Sequence, residues 1–519
     1  MNHGNVRAKL SRTVTLAKVA VAAGRVAAAG ERSRDDARRA LAGVLADARG
    51  APLKVGQLLG SFDDDGPFRE LANGVPPRPW TEMEAALEAE LGRPWRDVFE
   101  WIDEVGLAAS LGQVHHARLR GGFDVAIKIQ YPDIADAVAT ELAVAGLLPS
   151  MGPMRRWGFD LAGYKSALRA NLDRELDYQG EAERQARLRT SLDVPSLSGL
   201  VIPYIFGDLC SERLLVQSWE AGAPLSDAAS WPSETREALA GVLMRAFFGS
   251  VFVAGEVHGD PHLGNLRVRR ETAAVVLYDF GCTLPIARRR RLALLKLILG
   301  CRAADETDAM ACFVAMGFDA AKLAELGDMI PSLAKLLLEP MLTDSSTRMA
   351  DWRLGERVNA LLGDYRWWFR AAGPPELIML LRAFHGLAQQ LTMLNVSVSW
   401  WAALTAVVPA AMQREAVVLS LADAALSGID RRRTASFAGV AKFLRIEVTE
   451  REIPVVTVSL PASQTPTLTD LIPSDVLPRI RTAGIDVDAI VRDACGSGLC
   501  PQDLFDVEVG DRRYHLWLT

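Results

Sequence analysis

The sequence predicts an α+β chain, with helices ahead of a hairpin region, a mostly helical second half and a small α+β module behind. Three observations carry that prediction. Between 105 and 130 the apolar pattern alternates, with Gln113–Leu119 and Asp124–Ile129 flanking a Gly121-Gly122 turn, which reads as a hairpin. From 287 to about 428 apolar residues recur at helical spacing almost without interruption. From 432 to 519 short alternating runs return around one helical stretch. At 519 residues, with 50% hydrophobic and 24% charged side chains, the chain can bury a sizeable core and divide into two or three domains.

Taken in order, residues 1–50 read as helix up to a break at Gly50-Ala51-Pro52, and a second helical piece starts near Leu53. Asp63–Pro67 and Val75–Pro79 are loops by their turn chemistry. A helix over 81–100 leads into the hairpin, and helices follow from 133 to 190. Short strands cover 200–218, a long apolar helix runs over 234–254, and a turn-and-strand block spans 258–283. In the last part, Phe443–Thr449 and Val455–Leu460 form one hairpin, 467–495 is helical, and Asp506–Leu518 closes as a second hairpin. The boundaries expected are 1–104, 105–220, 221–431 and 432–519.

Charge and cysteine usage narrow the partners. Lys+Arg 58 against Asp+Glu 64 leaves a net charge of −6, so no nucleic-acid partner is expected. Six cysteines, at 210, 282, 301, 312, 495 and 500, include no C-x-x-C pair, which argues for neither a zinc ribbon nor a disulfide framework. Residues 1–30 carry Arg7, Lys9, Arg12, Lys18 and Arg25 with no acidic side chain, and the two inner charges break any signal-peptide core. An uncharged stretch over 396–412 is short for a span and reads as a buried helix. The expectation is a cytoplasmic chain with no signal peptide and no convincing transmembrane helix, able to touch the inner face of a membrane peripherally through its basic first helix.

The chemistry lies in His258-Gly259-Asp260-Pro261-His262-Leu263-Gly264-Asn265, followed after one strand by Asp279-Phe280-Gly281. An Asp five residues before an Asn, then Asp-Phe-Gly, is the catalytic-loop and metal-loop spacing of protein kinase-like enzymes. A triphosphate needs Mg²⁺, and Mg²⁺ takes hard oxygen ligands such as the Asp279 carboxylate and the Asn265 amide oxygen. Asp260 orients the attacking hydroxyl or water or accepts its proton, and His258 braces the loop. Val125-Ala126-Ile127-Lys128 supplies the strand lysine for the α- and β-phosphates. Its anchoring carboxylate is expected from Glu175, Asp177 or Glu181, with Glu181 preferred. No G-x-G-x-x-G precedes Lys128; Ala108-Ala109-Ser110-Leu111-Gly112-Gln113 stands there, and one glycine makes a stiffer backbone than three.

With these motifs the chain resembles the UbiB/AarF family of atypical kinase-like proteins, most of all its coenzyme Q-associated branch. Ala108–His115 matches the family's alanine-rich loop, Lys54-Val55-Gly56-Gln57 its K-x-G-Q signature and Glu175-Leu176-Asp177 its E-x-D signature. The likeness covers about residues 10–400. It implies an atypical protein kinase-like bilobal fold, with the N-terminal extension folded across the active site. It also implies ATP and Mg²⁺ as cofactors, and Ala108, Ala109, Ser110, Gly112, Gln113 and Lys128 at the nucleotide. Lys54 and Gln57 are then expected to point into the nucleotide site, with Glu175 and Asp177 holding the extension near the metal. Protein phosphorylation is disfavoured on this basis. ATP hydrolysis, or phosphorylation of a lipid or small molecule, in support of isoprenoid quinone metabolism is favoured, with a prenyl lipid or quinone precursor as partner.

Two other functions use the same residues. A small-molecule phosphotransferase of the aminoglycoside or choline kinase type also carries H-G-D-x-x-x-x-N but needs an open acceptor pocket. A non-catalytic, nucleotide-gated lipid-binding scaffold would keep ADP or ATP without turnover. Where many bacterial relatives end in spanning helices, this chain has the 432–519 module, expected to be regulatory or to bind a protein partner. The Arg288–Arg291 run offers a grip for phospholipid headgroups or, more plainly, a solvated helix start.

Overall fold

The computed structural model describes residues 77–135, 161–421 and 441–519, less 110, 133, 306, 364, 442, 451–452, 474–475, 497–498 and 500. The 1–50 helix, Lys54, Gln57 and Ser110 lie outside the described residues. The fold is mixed α+β and kinase-like, as the sequence predicts.

The first lobe is built on an antiparallel sheet of β1 (Phe99–Ile102), β2 (Leu107–Ala108), β3 (Gly112–Leu119), β4 (Asp124–Gln130) and β6 (Leu214–Ser218). The order is β1-β3-β4-β6, and β2 also pairs with β3. In β4 the side chains divide by alternation. Val125, Ile127 and Ile129 enter a core with Met83 and Leu87 of helix α1 (Trp80–Leu91), while Ala126, Lys128 and Gln130 take the other face. Leu172 of helix α2 (Leu161–Glu175) joins the first core, while helix α3 (Tyr178–Ser191) meets that second face. There Tyr178 and Ala182 pack on Leu215 of β6.

β6 leads into the second lobe, where Ala223 bridges to Val268. Its core is helical, drawn from α4 (Ser233–Phe248), α5 (Arg288–Ala303) and α7 (Leu377–Leu394). Helix α4 runs on through a π-helical turn, Gly249–Ala254. By length and composition Ser233–Ala254 could cross a membrane, and 61% of its apolar window is buried inside the fold, which is how a core helix passes the same test. The uncharged 396–412 stretch is buried as read from sequence: Trp400 is 0% exposed and meets the ring of Phe248 edge-on at 6.0 Å.

Small ladders frame the site. β5 (Leu200–Val201) runs parallel to β9 (Ala274–Leu277), which pairs with β8 (Leu266–Arg269). β7 (Glu256–His258) pairs with β10 (Thr283–Pro285), setting His258 opposite Thr283. That register brings the end of the H-G-D segment beside the end of the D-F-G segment. A further two-residue ladder joins β11 (Thr347–Arg348) to β12 (Ser397–Val398).

The last module is an antiparallel sheet ordered β14 (Ile453–Pro461), β13 (Phe443–Glu450), β16 (Arg512–Leu518), β15 (Gln502–Val509), with short helices over its apolar face. Its core does not stop at 432. Trp367 and Trp368 of α6 (Tyr365–Ala372) pack against it, so the module is joined to the helical lobe by an aromatic contact. The arginine run is a helix start: Arg288 pairs with Glu415 and Arg291 donates to the Phe252 carbonyl. That employment leaves Arg288 and Arg291 poorly placed as a headgroup grip.

Gly112, the one glycine of the alanine-rich loop, is fixed by a close approach. A Cβ there would lie 2.2 Å from the Ile129 carbonyl oxygen and 2.9 Å from the Tyr178 hydroxyl. Gly112→Ala is therefore expected to cost about 1–3 kcal/mol through forced backbone movement. A thermal melt read by circular dichroism checks it, with a drop of several degrees expected.

Candidate active site

The site is organised by one buried cation. Lys128 Nζ lies 2.9 Å and 3.0 Å from the two carboxylate oxygens of Glu181 and 3.2 Å from Asp279 Oδ1. Each partner comes from a different element: Lys128 from the middle of β4, Glu181 from the first turn of α3, Asp279 from the turn between β9 and β10. Lys128 is 8% exposed and Glu181 1%. Below the ammonium, the ring of Tyr178 lies 4.8 Å away, a further electrostatic contact. Burial pushes the Glu181 carboxyl up to about 7, against the downward pull of Lys128. Lys128 is held well above its usual value: burial lowers it, and the combined pull of Asp279 and Glu181 outweighs that.

Two carboxylates share one ammonium here, which leaves room for more positive charge beside Asp279. Asp279 is the more open of the two, with its side chain 33% exposed. Its φ of 59° places it in the left-handed region, and its Oδ1 accepts the Gly281 N–H at 3.2 Å. Asp tolerates that backbone because the short side chain bonds locally. A Cβ on Gly281 would sit 3.2 Å from both the Asp279 and Glu181 carboxylates, so glycine keeps that space clear.

The catalytic loop is braced from several sides. His258 Nε2 donates to the Tyr278 carbonyl at 3.0 Å, and its Nδ1 accepts the Asp260 N–H at 3.4 Å. Asn265 Nδ2 donates to the Asp260 carbonyl and to Asp260 Oδ2, at 3.3 Å and 3.2 Å. The Asn265 amide oxygen accepts no hydrogen bond among the described residues. Asp260 Oδ1 accepts from Arg382 at 3.0 Å. An amide oxygen and a half-open carboxylate suit Mg²⁺, which takes one or two protein oxygens and completes its shell with phosphates and water. Among the described residues no group of three His, Cys, Asp or Glu side chains forms a metal site of its own.

Backbone hydrogen bonds fix both sides of the alanine-rich segment. Ala109 N–H donates to the Gly112 carbonyl at 2.8 Å, Tyr131 N–H holds the Leu111 carbonyl at 3.0 Å, and Leu111 is 3% exposed in the first-lobe core. Ala108 pairs with Gln113 across β2 and β3. Gln113 turns its side chain away from Lys128. Its strand register sets it opposite Ile129, on the face away from Lys128. There its side chain accepts the Arg78 N–H at 2.8 Å and meets His115 Nε2 at 2.8 Å. Its neighbour Val114 is opposite Lys128 and shares its face of the sheet.

Glu175 and Asp177 are also employed in the fold. Glu175 is 7% exposed and accepts from Asn171 at 2.9 Å. Asp177 is the N-cap of α3, accepting the Gly180 N–H at 2.9 Å, and so aims the first turn that carries Glu181. Three residues not singled out in the sequence belong to the site: Tyr178 under Lys128, Arg184 and Arg382. Arg184 Nε donates to the Phe280 carbonyl at 3.2 Å, tying the D-F-G backbone to α3.

The titration of Glu181 gives a testable sign. Its folded value lies above its ordinary 4.5, so its contribution to stability is present in acid and fades as pH rises through about 7. The Lys128 pair needs the ionised form, so its contribution to nucleotide binding runs the opposite way. Between pH 8 and pH 6, Mg-ATP affinity measured by calorimetry is expected to fall about tenfold, one decade per unit of proton uptake. In Glu181→Gln that dependence should vanish.

The sequence has relatives among known proteins. The ABC1 atypical kinase-like domain matches residues 70–312. A protein of Synechocystis, slr0889, is 30% identical over 266 residues, covering 48% of this chain and 65% of that protein. The mitochondrial atypical kinase COQ8B of Danio rerio is 30% identical over 246 residues, covering 46% of this chain and 39% of that kinase. The chain thus spans less than two thirds of either relative's length. The solved structure of Rv3197 with erythromycin, from Mycobacterium tuberculosis, shares 23% identity at a TM-score of 0.49, over 70% of this chain and 94% of that one.

Proposed function

We propose that the chain is, through residues 70–312, a member of the UbiB/AarF family of atypical kinase-like proteins, and that it binds Mg-ATP and transfers the γ-phosphoryl group to water, a lipid or a small hydroxylated molecule in support of isoprenoid quinone or related lipid metabolism. The observation that carries this reading is the convergence of Lys128, Glu181 and Asp279 within 3.2 Å from three separate elements. Such an arrangement serves a polyphosphate: Lys128, oriented by Glu181, meets the α- and β-phosphates as a point charge. Asp279 and the Asn265 amide oxygen would hold Mg²⁺, which offsets charge on the transferring phosphoryl group. Asp260 orients the acceptor O–H and takes its proton as the new O–P bond forms and the bond to the ADP oxygen breaks. Ala108, Ala109 and the backbone of Gly112 form the stiff cradle above the phosphates.

The membrane and lipid partners belong to the same reading, supported by the basic composition of residues 1–30 and by the family likeness. A protein partner for 432–519 has its support in the separate core of that sheet.

The test is phosphate release from Mg-ATP by the full chain, with and without vesicles containing phosphatidylglycerol. Turnover is expected to rise several-fold on anionic vesicles and to fall about 100-fold or more in Asp279→Asn, the scale on which removing a phosphate-stabilising group acts. Unchanged turnover in Asp279→Asn contradicts the site assignment. Tight nucleotide binding without turnover under either condition turns the reading to the scaffold.

A further inference from the structure

Asp260 stands at the centre of the proposed chemistry, and one helix face determines how it is held. Helix α7 reads LIMLLRAFHGLAQQLTML, in which Arg382 is the one Asp, Glu, Lys or Arg. Arg382 is 6% exposed and Asp260 9%. The Arg382 Nη2 donates to Asp260 Oδ1 at 3.0 Å while Asn265 donates to Oδ2 at 3.2 Å, so both carboxylate oxygens are engaged and the side-chain torsion is set. Asp260 is the one acidic partner of Arg382 among the described residues; the other guanidinium nitrogens reach Met379 Sδ at 4.0 Å or no acceptor. A buried guanidinium and a buried carboxylate each require the other, so the pair has one arrangement.

One turn along α7 the same face makes a second contact. A Cβ on Gly386 would lie 1.9 Å from Pro261 Cβ. Positions 382 and 386 are helix neighbours, so a single face grips two consecutive residues of the catalytic loop, Asp260 and Pro261. Glycine at 386 lets the helix come close enough for Arg382 to reach the carboxylate.

The geometry points to Arg382 as a positioning residue for the phosphoryl-transfer step: seated by Gly386, it fixes the Asp260 rotamer that meets the acceptor. Nucleotide binding, which rests on Lys128, Glu181 and Asp279, does not depend on it. The inference rests on the reading of Asp260 as the acceptor-side carboxylate, and the experiment separates the two.

Steady-state Mg-ATP turnover and calorimetric Mg-ATP affinity are measured on the full chain for Arg382→Met, Arg382→Lys, Arg382→Ala, Gly386→Ala and Asp260→Asn, with melting curves for each. In Arg382→Met, kcat is expected to fall about 100-fold, the effect of misplacing a reacting group by about 1 Å, with nucleotide affinity within about threefold of wild type. Arg382→Lys should recover part of the loss, and Gly386→Ala should lower kcat in the same direction. In Arg382→Ala, millimolar guanidinium chloride should restore turnover, which a general loss of packing would not allow, and it should not do so in Asp260→Asn. If Arg382→Met melts below the assay temperature, Arg382→Lys and Gly386→Ala decide on the same criteria. A folded Arg382→Met or Gly386→Ala with wild-type kcat overturns the inference, as does equal loss of affinity and turnover without guanidinium rescue. Turnover retained in Asp260→Asn instead removes the reading of Asp260 on which the inference stands.

Discussion

An ammonium group buried between two carboxylates is the constraint on which the rest of the site depends. Lys128 is placed by the β3–β4 register, which sets it opposite Val114 and on the face away from the first-lobe core. A lone buried charge on that face would be untenable. Glu181 and Asp279 make it tenable, and they must be delivered there by other parts of the chain. Asp177 caps α3 so that Glu181 faces the sheet, Tyr178 fills the space beneath, and Gln185 two turns along spans to Gln217 of β6 at 2.7 Å. The D-F-G turn is carried in by the β7–β10 ladder and tied to α3 by Arg184. Loosening any of these leaves charge buried without its partner.

Rigidity is the second theme, and it follows from the first. The alanine-rich turn is closed by its own backbone and pinned through Leu111 to the core. The catalytic loop is held by His258 from within, by Asn265 from its own end and by α7 from below. A phosphoryl-transfer site gains mostly from positioning and from charge fixed in advance. Here His258, Asn265 and Arg382 hold the Asp260 segment by hydrogen bonds.

Much of this was legible in the sequence, because the chemistry dictates residue type and spacing. Asp260, Asn265 and Asp279 announce themselves by their separation, and Lys128 by its place in an alternating strand. Glu181 could be preferred among three carboxylates on one segment, and the structure pairs it with Lys128. What the sequence left hidden depends on contacts far along the chain. Arg382 reaches Asp260 across 122 positions and Arg184 reaches Phe280 across 96. A signal for Arg382 existed: one arginine in an otherwise uncharged apolar helix, with glycine four residues on. Strand alternation turns the Gln113 side chain to the core, which its motif alone does not show. Asp177 carried an N-cap pattern, three residues before the N–H it accepts. The reach of the last module to Trp367 and Trp368 has no local signature, since it joins segments more than seventy residues apart in sequence.

The central claim is that Lys128 and Glu181 act as one unit in holding a nucleotide. A double-mutant cycle on Mg-ATP affinity at pH 8, comparing Lys128→Met, Glu181→Gln and the pair together by calorimetry, tests it most directly. A coupling of at least about 1.4 kcal/mol is predicted, with Glu181→Gln silent once Lys128 is gone. Effects that add to within about 0.5 kcal/mol would contradict the account.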